Sequence, residues 1–318
     1  MTPGRSCPLH YRYAPADLAR DVPHSADCVY VVGGLYGNLP ALDVIFALLR
    51  GESRPATIIF NGDFNWFDID GASFTAINSR VLAHTALRGN VETELAHDDE
   101  TAGCGCGYPQ FVGDAAVERS NRILSQLRDT ARAFPLVRRT LAALPMHAAA
   151  QVGDVRVAVV HGDCAGLAGW GLSREALADE RQRSRVSQWF TQAGVGVIAS
   201  SHSCLPVLTE FSLPAGTGAV INNGAAGMPN FAGTRYGVIT RIGLRPSPHQ
   251  TLYGTRISAV HVDALPVHYD FAQWSGDFLA NWPPGSPAHT SYHHRIVDGP
   301  AYNLSDATRT RQAAAQPA

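Results

Sequence analysis

Four short runs, 28–32, 57–60, 155–160 and 195–199, are apolar at nearly every position, rich in valine and isoleucine, and each stops at a glycine or polar turn. A strand with one wet face alternates polar and apolar residues, so a run without alternation must be covered on both faces. Between the runs lie stretches with helical spacing. Asn38 and Pro40 open a helix to Arg50, with Gly51 as its stop; Ile123, Leu124, Leu127, Ala131 and Phe134 mark one face of a helix over 117–134 that Pro135 ends. Ser173 starts a third, reaching about Ala193, where Gly194 supplies a left-handed stop. Buried strands alternating with amphipathic helices describe an α/β protein rather than a helical bundle or an all-β sandwich. Further strands are expected over 219–221, 236–242 and 257–269, the last broken near 263–266, and residues 94–114 read as a loop.

The 318 residues carry a formal net charge of -2, and all 25 Lys+Arg positions are arginine. A chain without lysine cannot form a Schiff base with pyridoxal phosphate, and it lacks the lysine that a P-loop or a protein kinase directs at phosphate. The near-neutral balance offers no basic stripe for nucleic acid, and no apolar run is long enough to cross a membrane. Six cysteines in a chain of this length are read as thiols or ligands rather than a disulfide framework. With no apolar leader at the N-terminus, a cytoplasmic location is expected. Residues 1–26 are taken as an N-terminal extension, 27–300 as the folded unit and 301–318 as a flexible tail rich in alanine and polar residues.

Chemistry concentrates where the strands end. Asp63, Asn90, His161 and His202 each follow a buried run or a tight glycine turn, and in open α/β sheets ligands gather outside the carboxyl ends of strands. One carboxylate, one amide oxygen and two imidazoles form a shell suited to zinc, manganese or iron. Taken one at a time, the same residues serve equally as turn formers or hydrogen-bonded core histidines.

Read in order, the segments Gly34-Leu35-Tyr36-Gly37-Asn38, Gly62-Asp63, Gly89-Asn90-Val91-Glu92, His161-Gly162 and Ser201-His202-Ser203-Cys204 resemble the motifs of the calcineurin-like metallophosphoesterases. Those motifs run D-x-H-G-N, G-D, G-N-H-D/E, H-G and G-H-x-H. The resemblance covers about residues 28–270 and implies a two-sheet β-sandwich flanked by helices. It also implies a metal-dependent hydrolase acting on a small phosphorylated metabolite. Asp63, Asn90, His161 and His202 match all four ligands of one family metal and would serve as catalytic and metal-binding residues. The other metal has lost three of its four: Gly34 and Tyr36 stand for the D-x-H pair and Cys204 for the last histidine. One transition-metal ion (Mn, Fe or Zn) is therefore expected rather than two, unless Tyr36 and Cys204 rebuild the lost site as phenolate and thiolate.

Val91 occupies the position of the family's G-N-H histidine, which weakens general-acid help. Arg88, two residues before Asn90, and Asn38, at a helix start, are candidate phosphate-binding residues. Cys104-x-Cys106, inside Gly-Cys-Gly-Cys-Gly, reads either as a tight turn or as a metal or redox pair. The alternative function is a non-hydrolytic protein of this fold that binds a metal or a phosphorylated ligand, with cysteines near the site. No nucleic-acid or membrane partner is expected, and the oligomeric state stays open.

Overall fold

The computed structural model describes residues 2–308. Its strands are β1 (His24–Ser25), β2 (Cys28–Val32), β3 (Thr57–Asn61), β4 (Thr85–Leu87), β5 (His147–Val152) and β6 (Val155–Val160), then β7 (Val197–Ser200), β8 (Pro206–Leu213), β9 (Gly216–Asn223), β10 (Gly237–Gly243), β11 (Tyr253–Ile257) and β12 (Val260–Val267). They form two six-stranded sheets, in the orders β11-β12-β10-β2-β3-β4 and β1-β5-β6-β7-β9-β8. Strands β2, β3 and β4 pair in parallel, as do β6, β7 and β9; the strands beyond them pair antiparallel except β1, which lies parallel to β5.

The apolar runs explain the layering. In β2, Val29 and Val31 face the core between the sheets, where they join Ile59, Val157, Val159, Val197 and Ile221. Cys28, Tyr30 and Val32 point the other way, under the helices Leu39–Arg50 and Gly71–Val81. On the second sheet, Ala158, Val160 and Ile198 pack outward against Trp189 and Phe190 of the helix Glu180–Ala193. Period-two geometry thus sends one residue set to each core, and the central strands β2, β3, β6 and β7 are covered on both faces.

Several boundaries differ from the sequence reading. Pro135 ends one helix (Asp114–Arg132) and then opens a second (Pro135–Ala143) from its first turn, where its missing N–H costs nothing. The segment after Ser173 splits into Arg174–Leu177 and Glu180–Ala193, because Asp179 accepts from the Arg181 and Gln182 amides and restarts the helix. Strand β12 runs unbroken through 263–266, with Pro266 opposite Val238. The stretch 94–114 is helical at its start, since Asn90–Ala96 forms a short helix.

Both chain ends are packed as far as they are described. Tyr11 is buried and its hydroxyl donates to Glu94, the Gly4 amide donates to the Ala102 carbonyl, and β1 pairs with β5. Tyr302 and Ala307, in the segment expected to be a flexible tail, are buried, and the Ala307 carbonyl accepts from the Leu208 amide. Residues 309–318 lie outside the described residues.

Candidate metal centre

Five loops converge outside the carboxyl ends of β2, β3, β4, β6 and β7, where parallel strands from both sheets point the same way. Asp63 stands two residues past β3, Asn90 opens the helix after β4, His161 follows β6 directly, and His202 comes two residues after β7. The structure brings all four together. His161 Nε2 lies 3.3 Å from Asp63 Oδ2, 3.3 Å from Asn90 Oδ1 and 3.1 Å from His202 Nδ1. Among the described residues, Asp63, His161 and His202 form the one acid–histidine–cysteine group whose donor atoms all fall within 4.8 Å.

The surrounding hydrogen bonds fix which atom of each side chain faces inward. His161 Nδ1 donates to the Asn61 carbonyl at 2.8 Å and His202 Nε2 to the Cys106 carbonyl at 2.9 Å, because a carbonyl can only accept. In the neutral rings the lone pairs therefore sit on the two facing nitrogens. Asn90 spends its Nδ2 on the Cys104 carbonyl at 2.9 Å, which turns Oδ1 inward; Asp63 Oδ1 accepts from the Val91 amide, which leaves Oδ2. Two lone-pair nitrogens, an amide oxygen and a carboxylate oxygen thus meet with no donor among them unless a ring is protonated, and that arrangement calls for a cation. Ligands about 2.1 Å from a zinc-like ion stand roughly 3.0–3.4 Å apart along octahedral or tetrahedral edges, which the three separations match. The donor set fits a transition-metal ion, and ring orientation by backbone carbonyls is the usual outer support of such a site.

The electrostatics agree. Burial raises the Asp63 carboxyl, but His161, His202 and the Val91 amide outweigh it and hold it below the ordinary value. Burial lowers the His161 ring, yet the Asp63 charge and the Asn61 carbonyl bring its net position above normal. Burial and the neighbouring His161 push His202 down to about 4. Glu92, fully buried, is pushed up to about 7 by burial and by Asp63. Its two oxygens accept from the Asp63, Phe64, Asn65 and Gly89 amides and from Asn65 Nδ2, so it ties the Asp63 turn to the Gly89-Asn90 turn.

The remaining first-motif positions are reorganised. Gly34 has φ +66°, and a Cβ there would stand 3.0 Å from the Tyr36 ring, so the phenol occupies the space an aspartate side chain would need. Tyr36 Oη lies 2.9 Å from Cys204 Sγ, and burial keeps both phenol and thiol well on the protonated side. Tyr36, Asp63 and Cys204 are three of the four non-glycine residues with positive φ among the described residues, which concentrates backbone strain in this cleft.

Two expected phosphate ligands are not brought to the site. Asn38 Oδ1 caps the Leu39–Arg50 helix by accepting from Ala41, its Nδ2 donates to the Gly227 carbonyl, and the side chain is fully buried and does not line the cleft. Arg88 turns to the Ala142 carbonyl at 3.1 Å and does not line the cleft. The cation that does line it is Arg295, whose Nη2 donates to the Cys204 carbonyl at 2.7 Å and Nε to Pro229. It comes from the late helix Pro287–Asp298, a segment with no motif to mark it. The cleft has a volume of about 160 Å³, and Trp66, Tyr108, Trp170 and Tyr292 line it beside Asp63, Asn90 and His202.

The cysteines also depart from expectation. Cys104 and Cys106 are paired as a disulfide rather than standing as thiols or ligands. Positive φ at Gly103, Gly105 and Gly107 curls the turn until the two Cα atoms are 5.4 Å apart. The carbonyls of this turn are the ones that orient Asn90 and His202. Cys164 is buried in the core against Trp189 and Phe190, away from the donors.

No family model matches the chain, and no curated protein matches it. Among solved structures, a hypothetical protein from Pyrococcus horikoshii OT3 superposes with a TM-score of 0.57 at 15% identity, covering 86% of this chain and 99% of its own. A metallophosphoesterase from Sphaerobacter thermophilus gives a TM-score of 0.53 at 14% identity, covering 86% of this chain and all of its own. Two mixed six-stranded sheets between helices match the Sphaerobacter metallophosphoesterase, and the chain carries a metallophosphoesterase-like α/β sandwich fold.

Proposed function

We propose that the protein is a metal-dependent phosphoesterase acting on a small phosphorylated compound, with one ion held by Asp63, Asn90, His161 and His202. The observation that carries this reading is the convergence of four inward acceptors, each oriented by a partner that leaves it nothing else to bind. An ion bound there supplies a Lewis acid for a phosphoryl oxygen and lowers the pKa of water in its shell. The protein's own residues do the rest. Arg295 stands beside Cys204, on the side where the family's other metal would sit, and offers its guanidinium to the phosphoryl charge. Water adds to phosphorus, the ester P–O bond breaks, and the departing alkoxide takes up a proton.

A single ion is favoured because Tyr36 fills the space above Gly34 and bonds to Cys204, both in neutral form. Metal analysis of purified protein, with release of phosphate or alcohol from aryl phosphate mono- and diesters, tests the reading. About one Mn, Fe or Zn per chain with turnover is expected, and His202→Ala should lose both ion and turnover while keeping the fold. Two ions bridged by Asp63 would overturn the mononuclear assignment.

One observation favours a second reading, a non-hydrolytic metal- or phospholigand-binding protein. Val91, 1% exposed, lines the cleft where the family motif has a histidine, so no general acid stands there. Bound metal without turnover on any phosphoester selects that reading.

A further inference from the structure

Phe111 is 65% exposed and packs against Trp170, a residue of the cleft wall. Its ring meets the edge of Trp170 with centroids 6.2 Å apart; Trp170 in turn lies 5.9 Å from Tyr108 and 5.3 Å from the His202 imidazole. Aromatic surface therefore runs without a break from solvent to a donor of the ion site. The inner rings are pinned: Trp170 Nε1 donates to the Cys106 carbonyl at 3.0 Å, and the Tyr108 hydroxyl shares a hydrogen bond with Ser120 at 3.0 Å. The Cys106 carbonyl also accepts from His202, so shelf and ion site have a common anchor. Rigid aromatic side chains offer contact area at little ordering cost.

We propose that the cleft takes phosphoesters whose alcohol part carries a planar aromatic ring, and that Trp170, Tyr108 and Phe111 form the shelf on which the ring lies. This rests on the phosphoester reading above and supplies the other half of the substrate. Charge divides the cleft in the same sense. Arg295 and the ion site attract the phosphoryl group, whereas the Trp170 wall carries no charge and suits an apolar ring. Aromatic rings meeting edge-on or offset gain beyond simple burial, so a substrate ring against Trp170 and Phe111 continues a packing mode already present.

Two non-hydrolysable probes separate this inference from the hydrolytic one. Phenylphosphonate and methylphosphonate share the anionic headgroup and differ in the ring, and their binding to the metal-loaded protein can be read by calorimetry and tryptophan fluorescence. Phenylphosphonate should bind about tenfold more tightly or better, and Phe111→Ala should cut that advantage by roughly threefold while leaving methylphosphonate affinity and metal content unchanged. Equal binding of the two probes, no binding of either, or an equal loss of both in Phe111→Ala overturns the shelf. Ring-selective binding without turnover of any phosphoester would uphold the shelf and refute hydrolysis. Turnover without ring selectivity would do the reverse.

Discussion

Glu92→Gln tests how the two ligand-bearing turns are held. Oε2 accepts from the Asp63 and Gly89 amides at 2.7 and 2.9 Å, and Oε1 accepts from Phe64, Asn65 and Asn65 Nδ2 at 3.1, 3.2 and 3.3 Å. Glutamine has one acceptor oxygen, so whichever way the amide turns, at least two buried N–H groups face an NH2 instead. An orphaned buried donor costs about 1–3 kcal/mol, so the loss should be roughly 2–6 kcal/mol. Urea titration of metal-free protein reads it as a lower midpoint at an unchanged slope.

Asp63 and Asn90 ride on the turns that Glu92 joins, so ion affinity should also fall, by about 10–100-fold as for other outer supports of metal ligands. Glu52→Gln is the control. Glu52 binds Arg241 at 2.6 and 3.0 Å and accepts from Tyr30, none of which belongs to the cleft. Breaking that buried pair should cost about 3–5 kcal/mol while leaving ion affinity intact. A Glu92→Gln protein within about 0.5 kcal/mol of wild type would refute this account, because it would mean the orphaned donors find other partners. So would one that loses stability but binds its ion as tightly as before.

Ion affinity should rise with pH at close to one proton per ion, taken from His161, because His202 at about 4 is already neutral; a slope of two would refute the assignment. In metal-free protein the raised His161 stabilises the fold below its ordinary 6.5, and this is lost as pH climbs through the folded value. The lowered Asp63 stabilises above 3.8, and this is lost as pH falls through its folded value, so these groups favour the interval between the two, measurable by denaturation at several pH values. Cys204→Ser should leave metal content unchanged and cost about 1 kcal/mol, and thiolate charge-transfer absorption in cobalt-loaded wild type would contradict that. Gly34→Asp alone should destabilise, since φ is +66° and the new Cβ meets the Tyr36 ring; pairing it with Tyr36→His should recover part of the loss in thermal melts.

The strands and the four donors were legible because they are local. Residues 28–32 or 155–160 are apolar at almost every position, which dictates burial on both faces whatever the neighbours are, and Asp63, Asn90, His161 and His202 stand at the ends of such runs or after glycine turns. Parallel pairing then sends those ends to one place. Strand β12 shows where local signals fail: Pro266 has no N–H to give and reads as a break, but its place opposite Val238 keeps the strand continuous. Where the Asn38 and Arg88 side chains turn was not legible, because a side chain's partners depend on what the fold packs beside it, and only the folded chain brings the Gly227 and Ala142 carbonyls within reach. Arg295 and the Phe111–Trp170 shelf carry no periodicity or motif: a late helix delivers Arg295, and two separate loops bring Phe111 and Trp170 together. The Cys104–Cys106 turn is the same case. Its glycines announce a turn, but that its two carbonyls set the inward faces of Asn90 and His202 is a matter of three-dimensional proximity, which the order of residues does not contain.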